Sequence, residues 1–361
     1  MAAGLVGLRL AWLGAGFASV ILGFAKAVFG HGYNGSMPMP QADLALARAG
    51  EVQFSAKPVI VFGEFLADCF PDRKVAGGAP FNVACHLQGL GASPLLATRI
   101  GQDAGSHFLL DAMKRCALDV ALLQFDPLRA SGQVDVIVEG GGHRFEIAPD
   151  QAFDFIDADP LLAAVDCLDA KRQSPSLIYF GTLAQRGRGS REALRRLLDR
   201  CDAPRFVDLN LRPPWVSRDV CGYALTQAKL VKMSEAELRT VAGWLGEDCQ
   251  KSEGEDLGRR VATRYGIDRL FVTRGEQGAW CVSGGEVIRV SSPAPPSADG
   301  DAVGAGDAFS AVLIVGTLGG WPLSLMLERA AHFASAVCGI RGATPASSDF
   351  YRPFLDNWNT R

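Results

Sequence analysis

The chain has 361 residues, a formal net charge of -3 and a sequence pI near 6.0, so it lacks the basic excess that neutralises phosphate backbones, and nucleic acid is not expected as a partner. At 48% hydrophobic and 21% charged residues it has ordinary globular composition, which excludes collagen-like, low-complexity and disordered classes. Its nine cysteines contain no Cys-x-x-Cys pair and its five histidines have no short-spaced partner, so reduced thiols are predicted and a structural zinc site is not.

In chain order, the first feature is a 15-residue apolar run, Ala11 to Ala25, between Arg9 and Lys26. It is short for a membrane span. It suits the hydrophobic part of a signal peptide, with Ala25-Lys26-Ala27 as a small-x-small cleavage site, and a start at Met37 or Met39 is a third reading. Residues 1–56 are therefore set apart as an N-terminal extension, and 57–361 are expected to form one folded domain, in the cytoplasm and without an obligate membrane partner.

From Lys57 the pattern is regular. Continuous apolar runs at Pro58 to Phe62, Leu95 to Ile100, Leu177 to Phe180, Arg205 to Leu209, Leu230 to Met233 and Leu270 to Thr273 predict strands buried on both faces. Between and after them, helices are predicted at Pro80 to Leu90, Gly105 to Ala117, Ser190 to Cys201, Ser234 to Trp244, Asp256 to Tyr265, Gly304 to Leu318 and Pro322 to Gly339. This alternation predicts an α/β fold with a mostly parallel central sheet and helices on both faces, its ligands at the carboxyl ends of the strands. Two runs break the rhythm. Gln133 to Glu139 and His143 to Ala148, joined by Gly140-Gly141-Gly142, read as a β-hairpin. With a strand from Phe65 to Phe70 it would make a small projecting sheet, from about 65–76 and 131–148, placed as a lid over a substrate.

The stretch Asp301-Ala-Val-Gly304-Ala305-Gly306-Asp307-Ala-Phe309 puts small residues and a carboxylate at the start of an apolar helix. The first amides of a helix attract anions, and glycine lets a ligand come close. An aspartate there can take a proton from an attacking hydroxyl during phosphoryl transfer, or it can simply cap the helix. The chain has no Walker loop, no dinucleotide Gly-x-Gly-x-x-Gly, no His-Arg-Asp and no Gly-x-Ser-x-Gly, which removes those enzyme classes.

Gly304-Ala305-Gly306-Asp307-Ala-Phe309 resembles the carboxy-terminal signature of the PfkB, or ribokinase-like, carbohydrate kinases. Gly77-Gly78-Ala-Pro-Phe-Asn82-Val-Ala84, preceded by Gly63-Glu-x-Leu-x-Asp68, resembles the amino-terminal block of their fructokinase-like branch. Val272-Thr273-Arg-Gly275-Glu-Gln-Gly278 resembles the nucleotide segment, and the likeness spans about residues 57–352. It implies a ribokinase-like fold and an ATP-dependent, magnesium-requiring sugar kinase with fructose as first substrate and 2-keto-3-deoxygluconate as alternative. The resemblance assigns Asp307 as catalytic base, Gly304, Ala305 and Gly306 as anion hole, and Asp68, Gly77, Gly78 and Asn82 as sugar contacts. Arg212, in Asp208-Leu-Asn210-Leu-Arg212, would hold a phosphate or an acidic group of the substrate. Thr273, Gly275 and Gly278 would contact nucleotide. Ser234 and Glu237 match the Asn-x-x-Glu segment that helps organise magnesium and phosphate, with serine in place of asparagine.

Other readings stay open for these positions: a strand-edge charge for Asp68, a surface salt bridge for Arg212, a plain strand turn for Thr273 to Gly278, and a helix capping box for Ser234 and Glu237. Direct protein ligands to a metal are not expected; Glu237 could act through water, and Asp301 beside a monovalent cation. Ala302 stands where the family usually has threonine, which leaves potassium activation open. A homodimer through the lid is also compatible with the family. The different-class alternative is a catalytically silent member that only binds sugar or nucleotide.

Overall fold

A computed structural model describes residues 57–139, 142–297 and 300–359 of the chain. The N-terminal extension and the Gly140-Gly141 part of the glycine turn lie outside the described residues. The strands are β1 (Val59–Phe62), β2 (Leu66–Cys69), β3 (Lys74–Gly77), β4 (Pro94–Gly101), β5 (Leu123–Asp126), β6 (Gly132–Glu139), β7 (Gly142–Ile147), β8 (Leu177–Phe180), β9 (Arg205–Asp208), β10 (Leu230–Ser234), β11 (Arg269–Thr273), β12 (Ala279–Ser283) and β13 (Glu286–Val290). The helices are α1 (Ala79–Gly89), α2 (Ala104–Arg115), α3 (Ala158–Ala170), α4 (Arg188–Arg200), α5 (Arg218–Gln227), α6 (Glu235–Trp244), α7 (Gly254–Tyr265), α8 (Ala305–Leu318), α9 (Leu323–Cys338) and α10 (Arg352–Asn359).

The large sheet has the order β13-β12-β11-β10-β9-β8-β1-β4-β5. Pairing is parallel from β11 across to β5 and antiparallel between β11, β12 and β13. β1 sits in its interior, and all four of its residues, Val59 to Phe62, are at most 1% exposed. That is why the run shows no alternation: each face of the strand is covered by helices. One core joins Ile60 and Phe62 to α3, α4, α5, α6 and α7. The other joins Val59 and Val61 to α1, α2, α8, α9 and α10. Each fully buried aliphatic or aromatic side chain contributes about 1.5–3 kcal/mol, so the two cores dominate stability.

A separate small sheet has the order β3-β2-β6-β7. In β6, Val134 and Val136 are buried while Gln133 and Asp135 are exposed, the alternation of a sheet covered on one face. Side chains tie it to the main body. Gln151 Nε2 donates to the Gln133 carbonyl at 2.7 Å and its Oε1 accepts from the Gln133 amide at 2.9 Å, and Trp215 Nε1 donates to the Ile147 carbonyl at 3.1 Å.

The predicted strands and helices are all present, with ends shifted by one or two residues. The antiparallel strands β12 and β13, the helices α3, α5 and α10, and the short strands β3 and β5 add to the pattern read from the sequence. Among the described residues no helix is long and apolar enough to cross a membrane.

Candidate active site

Because β1, β8, β9, β10 and β11 run parallel, their carboxyl ends bring Gly63, Gly181, Asp208, Ser234 and Thr273 to one edge of the sheet. The amino end of α8 reaches the same edge. Its N-cap, Gly304, has φ 77°, a left-handed backbone that favours glycine, and a Cβ there would collide with Ala343. Asp301 anchors the loop before it, accepting from the amides of Val303 at 3.0 Å and Gly342 at 3.2 Å. Helix geometry leaves the first amides of α8 without carbonyl partners. Ala305 spends its amide on the Ala302 carbonyl at 3.3 Å, so Gly306 and Asp307 have the amides best placed for an anion.

Asp307 lies in that first turn, half-buried. Asn82 Nδ2, from α1, donates to its Oδ2 at 2.8 Å. Loss of water around the carboxyl pushes its pKa up to about 6; the Asn82 bond pulls down, Asp208 pushes up, and Lys232 and Arg212 pull down. Proton affinity near neutrality suits a group that must be ionised yet accept a proton.

Beneath α8 lies a buried ion pair. Lys232 Nζ stands 3.1 Å from Asp208 Oδ2, and Ser310 Oγ donates to that oxygen at 2.8 Å. The Tyr179 hydroxyl is buried close by without a hydrogen-bond partner, raised well above its usual range by burial and by Asp208, Asp307 and Glu64.

The small sheet delivers Asp68 from β2. Its Oδ2 lies 2.6 Å from where a Cβ on Gly77 would stand, so glycine there admits the carboxylate to the backbone. Burial raises Asp68 to about 6, and Arg212 pulls it back. Gly78, with φ 101°, starts α1, and a Cβ on it would meet the Glu64 carbonyl at 2.6 Å. Glu64 is 4% exposed, its Oε2 has no partner, and burial raises it to about 7 against the pull of Arg212. Arg212 itself is exposed, and among the described residues its guanidinium donates only to the Leu211 carbonyl, at 3.3 Å. The structure therefore brings together Asp307, Asn82, Asp68, Gly77, Gly78 and Arg212, which lie far apart in sequence.

The nucleotide candidates have clear structural work. Ser234 caps α6, accepting from the Glu237 amide at 3.2 Å, while Glu237 Oε2 accepts from the Ser234 amide at 2.7 Å. This is the capping box. Glu237 Oε1 accepts from the Leu211 amide at 2.6 Å, so the same carboxylate anchors the loop that carries Arg212. Thr273 pairs in register with Ser234. Gly275, φ 56°, begins the turn into β12, and a Cβ on Gly278 would collide with the Val290 carbonyl, so sheet packing alone demands glycine at 278. A cavity of about 1070 Å³, lined by residues including Lys229, Arg259, Arg269 and Trp321, opens at the opposite, amino ends of β10 and β11; it contains none of the motif residues.

Sequence reasoning missed Glu64, Tyr179, Asp208 and Lys232 as members of the site. Lys232 left a signal, a lone charge inside the apolar run Leu230-Val-Lys-Met233, and Asp208 stood in a motif from which only Arg212 received a role.

Residues 53–349 match the pfkB family carbohydrate kinases. The chain is 27% identical over 312 residues to a fructokinase of Klebsiella pneumoniae, covering 82% of this chain and 96% of that one. Its fold superposes on the fructokinase of Xylella fastidiosa with bound ATP, TM-score 0.71 at 19% identity, covering 84% and 99% of the two chains. It also superposes on the fructokinase of Vibrio cholerae O395 in its fructose, ADP and calcium ion bound form, TM-score 0.66 at 22% identity, covering 82% and 98%. With its ribokinase-like fold and the family's motifs gathered at one sheet edge, this chain belongs to the pfkB family of carbohydrate kinases.

Proposed function

We propose that this sugar kinase transfers the ATP γ-phosphoryl group to fructose, giving fructose 6-phosphate. The observation that carries the reading is Asp307, raised by burial at the amino end of α8 and held by Asn82. The fructokinases among its relatives support the choice of sugar.

In this reading Asp307 accepts the proton of the sugar 6-hydroxyl as that oxygen bonds to phosphorus and the bond from phosphorus to the ADP oxygen breaks. The amides of Gly306 and Asp307, presented by the Gly304-Ala305-Gly306 turn, hold the transferring oxygens. Asp68, Asn82 and the backbone at Gly77 and Gly78 receive the sugar hydroxyls, to which carboxylate and amide groups can accept and donate. Thr273, Gly275 and Gly278 flank the nucleotide, with Ser234 and Glu237 behind them. ATP supplies the phosphoryl group, and magnesium offsets the charge of its phosphate oxygens. The small sheet acts as the lid that excludes water.

Arg212 favours a second reading. Its guanidinium, without a carboxylate partner among the described residues, could hold the carboxylate of 2-keto-3-deoxygluconate. The deciding experiment is ADP release with magnesium and ATP across fructose, 2-keto-3-deoxygluconate, ribose, adenosine and no sugar. Strong turnover on fructose supports the first reading and on the sugar acid the second; no turnover on any sugar favours the silent alternative.

A further inference from the structure

Lys232 lies in the middle of the sheet, 6% exposed, on a strand whose neighbours Leu230, Val231 and Met233 are apolar and buried. A lysine is almost never buried so fully unless it is paired. Its partner is Asp208, at 3.1 and 3.2 Å from the two carboxylate oxygens. A pair that served only to fill space is often replaceable by apolar side chains of the same volume, because desolvation offsets the attraction. Its orientation gives a further reason for it.

The pair lies along one side of α8. Its ammonium is at Gly306: a Cβ on that residue would stand 2.9 Å from Lys232 Nζ. Its carboxylate is at Ser310, whose hydroxyl it accepts at 2.8 Å. Gly306 and Ser310 are four residues apart, about one helical turn. Positive charge therefore sits under the first turn and negative charge about one turn further in, the same sense as the helix dipole itself. Gly306 has no left-handed backbone to account for its glycine. The space its missing side chain leaves is where the ammonium stands.

We propose that Lys232 is a positioning residue of phosphoryl transfer: held by Asp208, its buried ammonium stands under Gly306 and adds a fixed positive charge to the amides that receive the transferring phosphoryl group. In this role it acts through those amides and through Asp208, not by its own contact with sugar or nucleotide. The groups facing this end of α8 and its ion pair are Asn82 from α1, Tyr179 from β8, Asp208 from β9, Lys232 from β10, Glu237 from α6, and Glu64 and Arg212 from the adjoining loops. Lys232 is the one cation among them that is buried under the helix. Positive charge fixed before the reaction costs no rearrangement as charge develops on the transferring oxygens.

The inference rests on the kinase reading, and wild-type turnover tests that reading first. The decisive variant is the neutral pair Asp208→Asn with Lys232→Met, which leaves no unpaired buried charge. The expected result is a kcat lower by about tenfold or more, with the KM for sugar within about twofold and an unchanged melting temperature. A neutral pair within about threefold of wild-type kcat would show that Lys232 only balances Asp208, and would overturn the proposal. If the wild type turns over no sugar, calorimetric affinities for ATP and ADP still decide. The neutral pair should lose ATP affinity and keep ADP affinity, since only ATP carries the γ-phosphoryl group; equal effects on both reject the role. Should the neutral pair fail to fold, Gly306→Ala serves instead. Alanine suits the helix backbone at 306 but pushes the ammonium away, so kcat should fall while thermal stability holds or rises, and undiminished kcat would overturn the proposal.

Discussion

Asn82 and His86 stand one turn apart on α1, and their surroundings differ sharply. His86 is fully buried with both ring nitrogens used: Nε2 with the Ala343 carbonyl at 2.9 Å and Nδ1 with the Tyr351 hydroxyl at 3.2 Å. Asn82 gives its amide to Asp307 and keeps a buried Oδ1 without a partner. Glu64 Oε2 and the Tyr179 hydroxyl share that condition, close to Asp307. A buried polar atom without a partner costs about 1–3 kcal/mol. The completed bonds of His86 hold Ala343, which packs on the Gly304 turn, whereas the open ones cluster around Asp307 at the proposed site.

The sharpest way to break this contrast is at Asp307. Asp307→Asn should lower kcat by about 10²–10⁴-fold while calorimetry finds sugar binding kept; a near-normal rate would remove the base from the site. Asp68→Ala comes next. It should raise the KM for sugar by about tenfold or more and that for ATP by less than about twofold, and equal effects on both would contradict a sugar role.

The scaffold half predicts stability changes instead. His86→Leu strips partners from the Ala343 carbonyl and the Tyr351 hydroxyl, and should cost about 1–3 kcal/mol in denaturant unfolding. Burial lowers the His86 pKa to about 4 from 6.5, so its neutral form is favoured in the fold; that stability is full above pH 6.5 and is lost as pH falls towards 4. Glu64 has the opposite sign. Its pKa rises from 4.5 to about 7, so its contribution is complete below pH 4.5 and is lost as pH rises through 7. Glu64→Gln should therefore stabilise the fold at about pH 8, by on the order of 2 kcal/mol, and give little at about pH 4.5. The smallest effect is kinetic: kcat/KM should fall on the acid side of about pH 6, where Asp307 and Asp68 take up protons, and a profile flat to pH 5 would separate those groups from turnover.

Much of this was legible in the sequence because strands buried on both faces have no polar residue to hide. Val59 to Phe62 and Leu177 to Phe180 are read directly, and the Gly-Ala-Gly-Asp helix start marks Asp307. α3 and α5 were missed because Ala158–Ala170 and Arg218–Gln227 mix small and charged residues without a clear stripe. β12 was missed because Gly278 drew attention as a nucleotide contact, while its glycine answers to the Val290 carbonyl of β13. Lys232 and Asp208 could not be placed from spacing, since their roles depend on which residue of α8 each one faces. For Glu237 the structure bears out the capping box, and the same carboxylate also holds the Arg212 loop through the Leu211 amide.

The Asn82–Asp307 hydrogen bond spans 225 residues of chain. At a synthesis rate of about 5–20 residues per second, Asn82 leaves the ribosome roughly 10–45 s before Asp307. For that interval the nascent chain carries Asp68, Gly77 and Gly78, the proposed sugar contacts, without α8. A message cut short before residue 307 thus encodes the proposed sugar contacts without the proposed base, and Ala343 and Tyr351, which complete the bonds of His86, follow later still.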